Sequence, residues 1–173
     1  KDSAPPAPPA PPELGIHVTE DCGQTAIGDR ACNFALLDQD GEYWELKNDL
    51  GKVVVLDFST VWCPPCQAAA SHVQQLQDEY MDTAAIVTIL IDGPVAPHAS
   101  TMDDVVGWAT SYGIDTAPVL QGSRELMFDI TGETGYSISS FPTYIYIDKE
   151  GYIHSGHSGF SGEYVRQVID SLL

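Results

Sequence analysis

Residues Val53-Val54-Val55-Leu56-Asp57-Phe58 form a near-continuous apolar run that ends just before Trp62-Cys63-Pro64-Pro65-Cys66. Such a run is the pattern of a strand covered on both faces, as found in sheets with helices packed against them. The C-x-x-C after it predicts a helix start. Cys63 falls at the N-cap, Pro64 suits the first helical position, and Cys66 sits one turn in. A helix N-terminus offers partial positive charge and free N–H groups, which favour a thiolate over a thiol. Cys66 is near enough to close a disulfide with Cys63. Half of a zinc site or a purely structural disulfide are the other readings. Zinc would need two more ligands at compatible spacing, and nothing nearby supplies them. The strand before and the helix after therefore point to a redox-active dithiol.

The rest of the chain reads as one mixed α/β domain behind a tail. Residues 4–12 repeat Ala-Pro-Pro three times. Proline fixes φ and lacks an N–H, so this segment is expected to be an extended polyproline II spacer, reaching just under ~30 Å at ~3.1 Å per residue. Residues 1–13 are read as linker or tether, 14–27 as an N-terminal extension and 28–173 as the domain. Residues 33–38 and 42–46 flank Asp40-Gly41 and predict a β-hairpin. Cys66, Ala69, Val73, Leu76 and Tyr80 recur at three and four, giving one helix with an apolar stripe toward the sheet. Residues 84–91 read as a second buried strand, and 92–99, with Pro94 and Pro97, as a loop. Residues 100–112 predict a helix capped by Ser100 or Thr101 and closed by Gly113, with Val105, Val106, Trp108 and Ala109 apolar. A short helix over 123–130, strands over 143–147 and 152–155, and a closing helix over 163–173 complete the order.

The segment from Val53 to Cys66, followed far downstream by Phe141-Pro142-Thr143, resembles the thioredoxin superfamily. It is similar in particular to the TlpA/ResA-like extracytoplasmic thiol–disulfide oxidoreductases. Gly28-Asp29 and Asn33-Phe34 look like the N-terminal hairpin of redoxin-type relatives. The resemblance implies a thioredoxin-like fold, a central mixed β-sheet flanked by helices, with an N-terminal β-hairpin extension. It implies exchange of a Cys63–Cys66 disulfide with protein substrates, more in the manner of a reductant, with no cofactor. Cys63 would attack, and a buried Asp57 would assist deprotonation of Cys66 through water. Pro142 would be the cis-proline facing the C-x-x-C, with Phe141 presenting backbone to substrate and Trp62 covering the dithiol edge. Many TlpA/ResA-like proteins carry a Glu where this chain has Ala69, which weakens a cytochrome c maturation role.

The C-P-P-C itself carries a prediction. An N-cap acceptor takes its hydrogen bond from the second or third helical N–H. Pro64 and Pro65 have none, so the Cys66 N–H and the Cys66 thiol are the main local donors left for the Cys63 sulfur. Cys63 is expected to be half exposed and Cys66 more covered.

Seven basic against 25 acidic residues give a formal charge of −18. That surface repels nucleic acid and anionic lipid headgroups. No apolar stretch is long enough to span a membrane, so a tether would need an anchor before Lys1. Cys22 and Cys32 read as a second, structural disulfide suited to an oxidising compartment such as the bacterial periplasm, or else as two unpaired buried thiols. Expected partners are protein thiols or disulfides and an upstream thiol donor, met by a monomer. Two other functions share parts of the pattern. A peroxiredoxin-type thiol peroxidase would place Thr60 correctly but a proline at Leu56. A metal-binding or chaperone module would recruit His154 or His157 to the cysteines, although no metal site is expected.

Overall fold

The computed structural model of the chain describes residues 26–127, 136 and 138–173. The polyproline spacer, Cys22 and residues 128–130 of the expected short helix lie outside them. Two sheets are present among the described residues. The smaller is the predicted hairpin, β1 (Ala35–Leu37) and β2 (Tyr43–Glu45), paired antiparallel with Leu36 opposite Trp44. Its turn is held by Asp38, whose side chain accepts from the Asp40 and Glu42 N–H groups, and by Gly41 at φ 78°. That left-handed backbone is why glycine stands there.

The larger sheet has the order β5-β4-β3-β6-β7. Its centre is β3 (Val53–Thr60), buried at every position, as its apolar composition required. Parallel neighbours lie to one side, β4 (Ala84–Asp92) and then β5 (Val119–Gln121). Antiparallel neighbours lie to the other, β6 (Thr143–Ile147) and β7 (Ile153–Ser158). Successive side chains alternate between faces. Val53 and Val55 join one core with residues of α1 (Pro64–Ala70), α2 (Val73–Tyr80), α3 (Met102–Tyr112) and α4 (Gly162–Leu172). Val54, Leu56 and Phe58 join a second core closed by Phe34, Trp44, Leu46, Leu126 and Tyr136.

Three expectations are corrected and one strand is new. The helix after the dithiol is two pieces, α1 and α2, separated at Ser71 and His72. Ser71 Oγ donates to the Ala68 carbonyl at 2.8 Å, and the His72 N–H reaches back three residues to Ala69 at 3.0 Å. A side-chain bond to the backbone together with i→i+3 tightening interrupts the α-helical ladder. The apolar stripe survives the break, since Cys66, Ala69, Val73, Leu76 and Tyr80 are all buried. The short helix expected over 123–130 is a 3₁₀ turn at Arg124–Leu126. Val106 is exposed, because α3 turns only Val105, Trp108 and Ala109 inward. β5 was not foreseen. Three residues after a proline carry too little periodicity to register. Its outer edge is covered by Gln39, which donates to the Ala117 carbonyl at 3.0 Å and accepts from the Val119 N–H at 2.8 Å.

α3 begins as its sequence indicates. Thr101 is the N-cap, and it forms a reciprocal capping box with Asp104, while Gly113 ends the helix at φ 63°.

Candidate active site

β3 delivers its last residues directly into α1, and this junction fixes the dithiol. Cys63 is the N-cap with extended backbone, φ −91° and ψ 110°. Its sulfur accepts from the Cys66 N–H at 3.2 Å, the donor left once Pro64 and Pro65 are excluded. Cys63 and Cys66 are joined as a disulfide with Cα atoms 5.3 Å apart. The expected contrast in exposure is absent in this oxidised form. Cys63 is 3% exposed and Cys66 1%. The cause is the rim: the loop before β6 brings the Phe141 carbonyl to 3.6 Å from the Cys63 sulfur. The Phe141–Pro142 peptide bond is cis. Trp62 stands edge-on to Phe141, ring centroids 6.2 Å apart, and remains 42% exposed. The structure thus brings Trp62, Cys63, Cys66, Phe141 and Pro142 together.

Asp57 is 1% exposed, on the helix-facing side of β3 between Val55 and Ser59. Ser59 Oγ donates to its carboxylate at 2.7 Å. Its cross-strand neighbours are Thr88 on β4 and Tyr144 on β6. The Tyr144 hydroxyl is near enough to be felt by the carboxyl but completes no hydrogen bond with it. Burial outweighs these partners and raises the Asp57 pKa from 3.8 to about 7. A buried carboxyl with that value can hold or release a proton near neutral pH. Burial next to that carboxyl likewise pushes the Tyr144 phenol upward.

Sequence reasoning missed a second set of residues. Asp92, at the end of β4, accepts the Trp62 indole N–H at 3.1 Å and a two-pronged contact from Arg124. These bonds, Arg124 foremost, hold its carboxyl below the usual carboxylate range. The available signal was an Asp closing an apolar strand in a chain with few cations. His154 is exposed at the register shift that interrupts β7, and His157 lies beyond it, opposite Tyr144 on β6. The His157 ring stacks on Tyr144 and Tyr146, with Nε2 2.8 Å from the Tyr146 hydroxyl. Cys32 is buried and is not a free thiol, while Cys22 lies outside the described residues.

A disulfide at the head of a helix, faced by a cis-proline loop on a mixed sheet of this order, is the site of a thioredoxin-like thiol–disulfide oxidoreductase. Comparison with known proteins agrees and is narrower. The AhpC/TSA family matches residues 27–155, and the chain belongs to that family. The thioredoxin-like protein YneN of Bacillus subtilis is 30% identical over 132 residues, 76% of this chain and 71% of its own length. The thiol–disulfide oxidoreductase ResA of Halalkalibacterium halodurans is also 30% identical over 132 residues, covering 76% of this chain and 68% of the relative. Among solved structures, the exposed lipoprotein thioredoxin Etrx1 of Streptococcus pneumoniae superposes with a TM-score of 0.67 at 26% identity. That match covers 81% of this chain and 99% of Etrx1.

Proposed function

We propose that the chain reduces disulfides in protein substrates outside the cytoplasm, using Cys63 to attack and Cys66 to resolve. The observation that supports this most is the buried Asp57 on the same sheet face as a dithiol capped only by the Cys66 N–H. In the forward direction the Cys63 thiolate attacks a substrate sulfur. The other substrate sulfur leaves as thiolate and takes a proton from solvent. Cys66 then gives its proton to the Asp57 carboxylate and attacks the Cys63 sulfur of the mixed disulfide. The second substrate sulfur leaves, also to be protonated. Two electrons have moved from the dithiol to the substrate, and the Cys63–Cys66 disulfide remains. A thiol donor upstream reverses the last bond.

Trp62, Phe141 and Pro142 form the substrate rim in this reading, with the Phe141 carbonyl available to a substrate backbone. The exposed-lipoprotein name of Etrx1 supports an extracytoplasmic, tethered arrangement in which residues 1–13 act as the spacer. Residues 28–173 are then the exchange domain, and a Cys22–Cys32 bridge would pin the preceding segment to it.

The test is turnover of insulin disulfides together with the reduction potential of the couple. Catalysis by the wild type, its loss in Cys63→Ser, and a potential near about −270 mV are expected. A potential near about −120 mV would reverse the assigned direction. Peroxide consumption without disulfide reduction would replace exchange by peroxidase chemistry.

A further inference from the structure

Seven cations serve a chain with 25 carboxylates, and one of them, Arg124, sets its guanidinium on the buried carboxylate of Asp92 behind the dithiol rim. Arg124 opens the 3₁₀ turn after β5. Its Nε donates to Asp92 Oδ1 at 2.8 Å and its Nη2 to Oδ2 at 2.7 Å. The same Oδ2 accepts the Trp62 indole N–H at 3.1 Å, and the Asp92 backbone carbonyl accepts the Val61 N–H at 3.0 Å. Asp92 is wholly buried. Both its backbone and its carboxylate are therefore tied to the segment that carries Trp62.

One hydrogen bond from the indole would leave Trp62 free to swing with a rotating carboxylate. A planar guanidinium fork removes that rotation, which an ammonium at the same place could not do. The exposed face of Trp62 is thus presented in one orientation, against Phe141. A rigid aromatic with a polar anchor is the kind of group that carries binding energy at a protein interface.

We propose that Arg124 is a positioning residue for protein substrates, holding Trp62 at the rim through Asp92. The inference rests on the exchange reaction proposed above. A protein disulfide meets a seat already formed, whereas a small disulfide reaches the sulfur without needing it.

The experiment uses the full chain with Arg124→Met and Arg124→Lys. In Arg124→Met, KM for insulin should rise about fivefold with kcat within about twofold. The rate with the small aromatic disulfide DTNB should stay within about twofold, since no seat is used. The indole N–H resonance of Trp62, identified by its loss in Trp62→Phe, should move. Arg124→Lys keeps the charge but not the fork, and an intermediate KM is expected. An unmoved Trp62 resonance with unchanged KM in folded Arg124→Met overturns the proposal. So does an equal loss toward insulin and DTNB, which would place the effect at the sulfurs. If Arg124→Met does not fold, the same readouts on Arg124→Lys decide. If the wild type reduces no protein disulfide, the exchange reading fails, while the resonance still reports whether Arg124 fixes Trp62.

Discussion

Replacing Asp57 by Asn removes a buried carboxyl that the fold holds in its protonated form below neutrality. Its pKa rises from 3.8 to about 7, chiefly through burial. In the unfolded chain the carboxyl is ionised above about pH 4. Between about pH 4 and 7 the native state therefore binds one proton more than the unfolded state, and stability falls as pH rises. Three units at about 1.36 kcal/mol each make the whole effect about 4 kcal/mol. It is complete once the pH exceeds the native value. Asn has nearly the same shape, stays neutral, and can accept from Ser59 Oγ as the carboxylate does. Asp57→Asn should match the wild type near pH 4 and exceed it by up to about 4 kcal/mol at pH 8. Urea unfolding of the oxidised proteins at several pH values, followed by tryptophan fluorescence, measures the difference directly. Subtracting the two curves cancels the other carboxylates. Curves that stay parallel from pH 5 to 8 would show that Asp57 holds no extra proton in the native state, and the proton-acceptor role would go with it. In the same variant the resolution step should slow more than the initial attack.

Three further outcomes follow from the site. Iodoacetamide should label Cys63 of the reduced protein about tenfold faster than Cys66, and Cys66→Ser should accumulate mixed disulfides through Cys63; mass spectrometry of digests reads both. Pro65→Ala adds an N–H at the second helical position. One more donor to the Cys63 thiolate, at about 1.5 kcal/mol, should raise the reduction potential by about 30 mV in a glutathione titration. Replacing Cys22 and Cys32 together should lower stability by a little under ~3 kcal/mol while insulin reduction persists, and non-reduced peptide mapping should show the two joined.

Much of this architecture was legible because the informative residues act locally. An apolar β3 cannot be anything but central, and a proline pair after Cys63 leaves few donors whatever the tertiary setting. Thr101 and Gly113 mark the ends of α3 by chemistry confined to one turn. Other features depend on distant parts of the chain. β5 exists because β4 offers an open edge and Gln39 closes the outside, neither of which residues 119–121 display. The covering of Cys63 depends on Phe141, which lies far along the chain. Arg124 and Asp92 meet across β4 and the turn after β5, so their pairing has no signature in spacing. Asp57 was the intermediate case, visible as a polar residue in an apolar run but silent on whether Ser59 or Tyr144 would answer it.

The contacts around the dithiol also bear on the direction of electron flow. A couple becomes strongly oxidising when its reduced form is stabilised as thiolate. Here the Cys63 sulfur receives the Cys66 N–H, and the two prolines withhold the donors that other sequences would provide. Arg124, which could have supplied positive charge near the rim, is spent on Asp92. Asp57 is partly ionised at neutral pH, and its negative charge opposes another on the same side of the sheet. Each of these features works against the reduced form, which favours the reductant role proposed above. The double proline, the arginine paired with Asp92 and the buried acid thus act in one sense, toward a reductant.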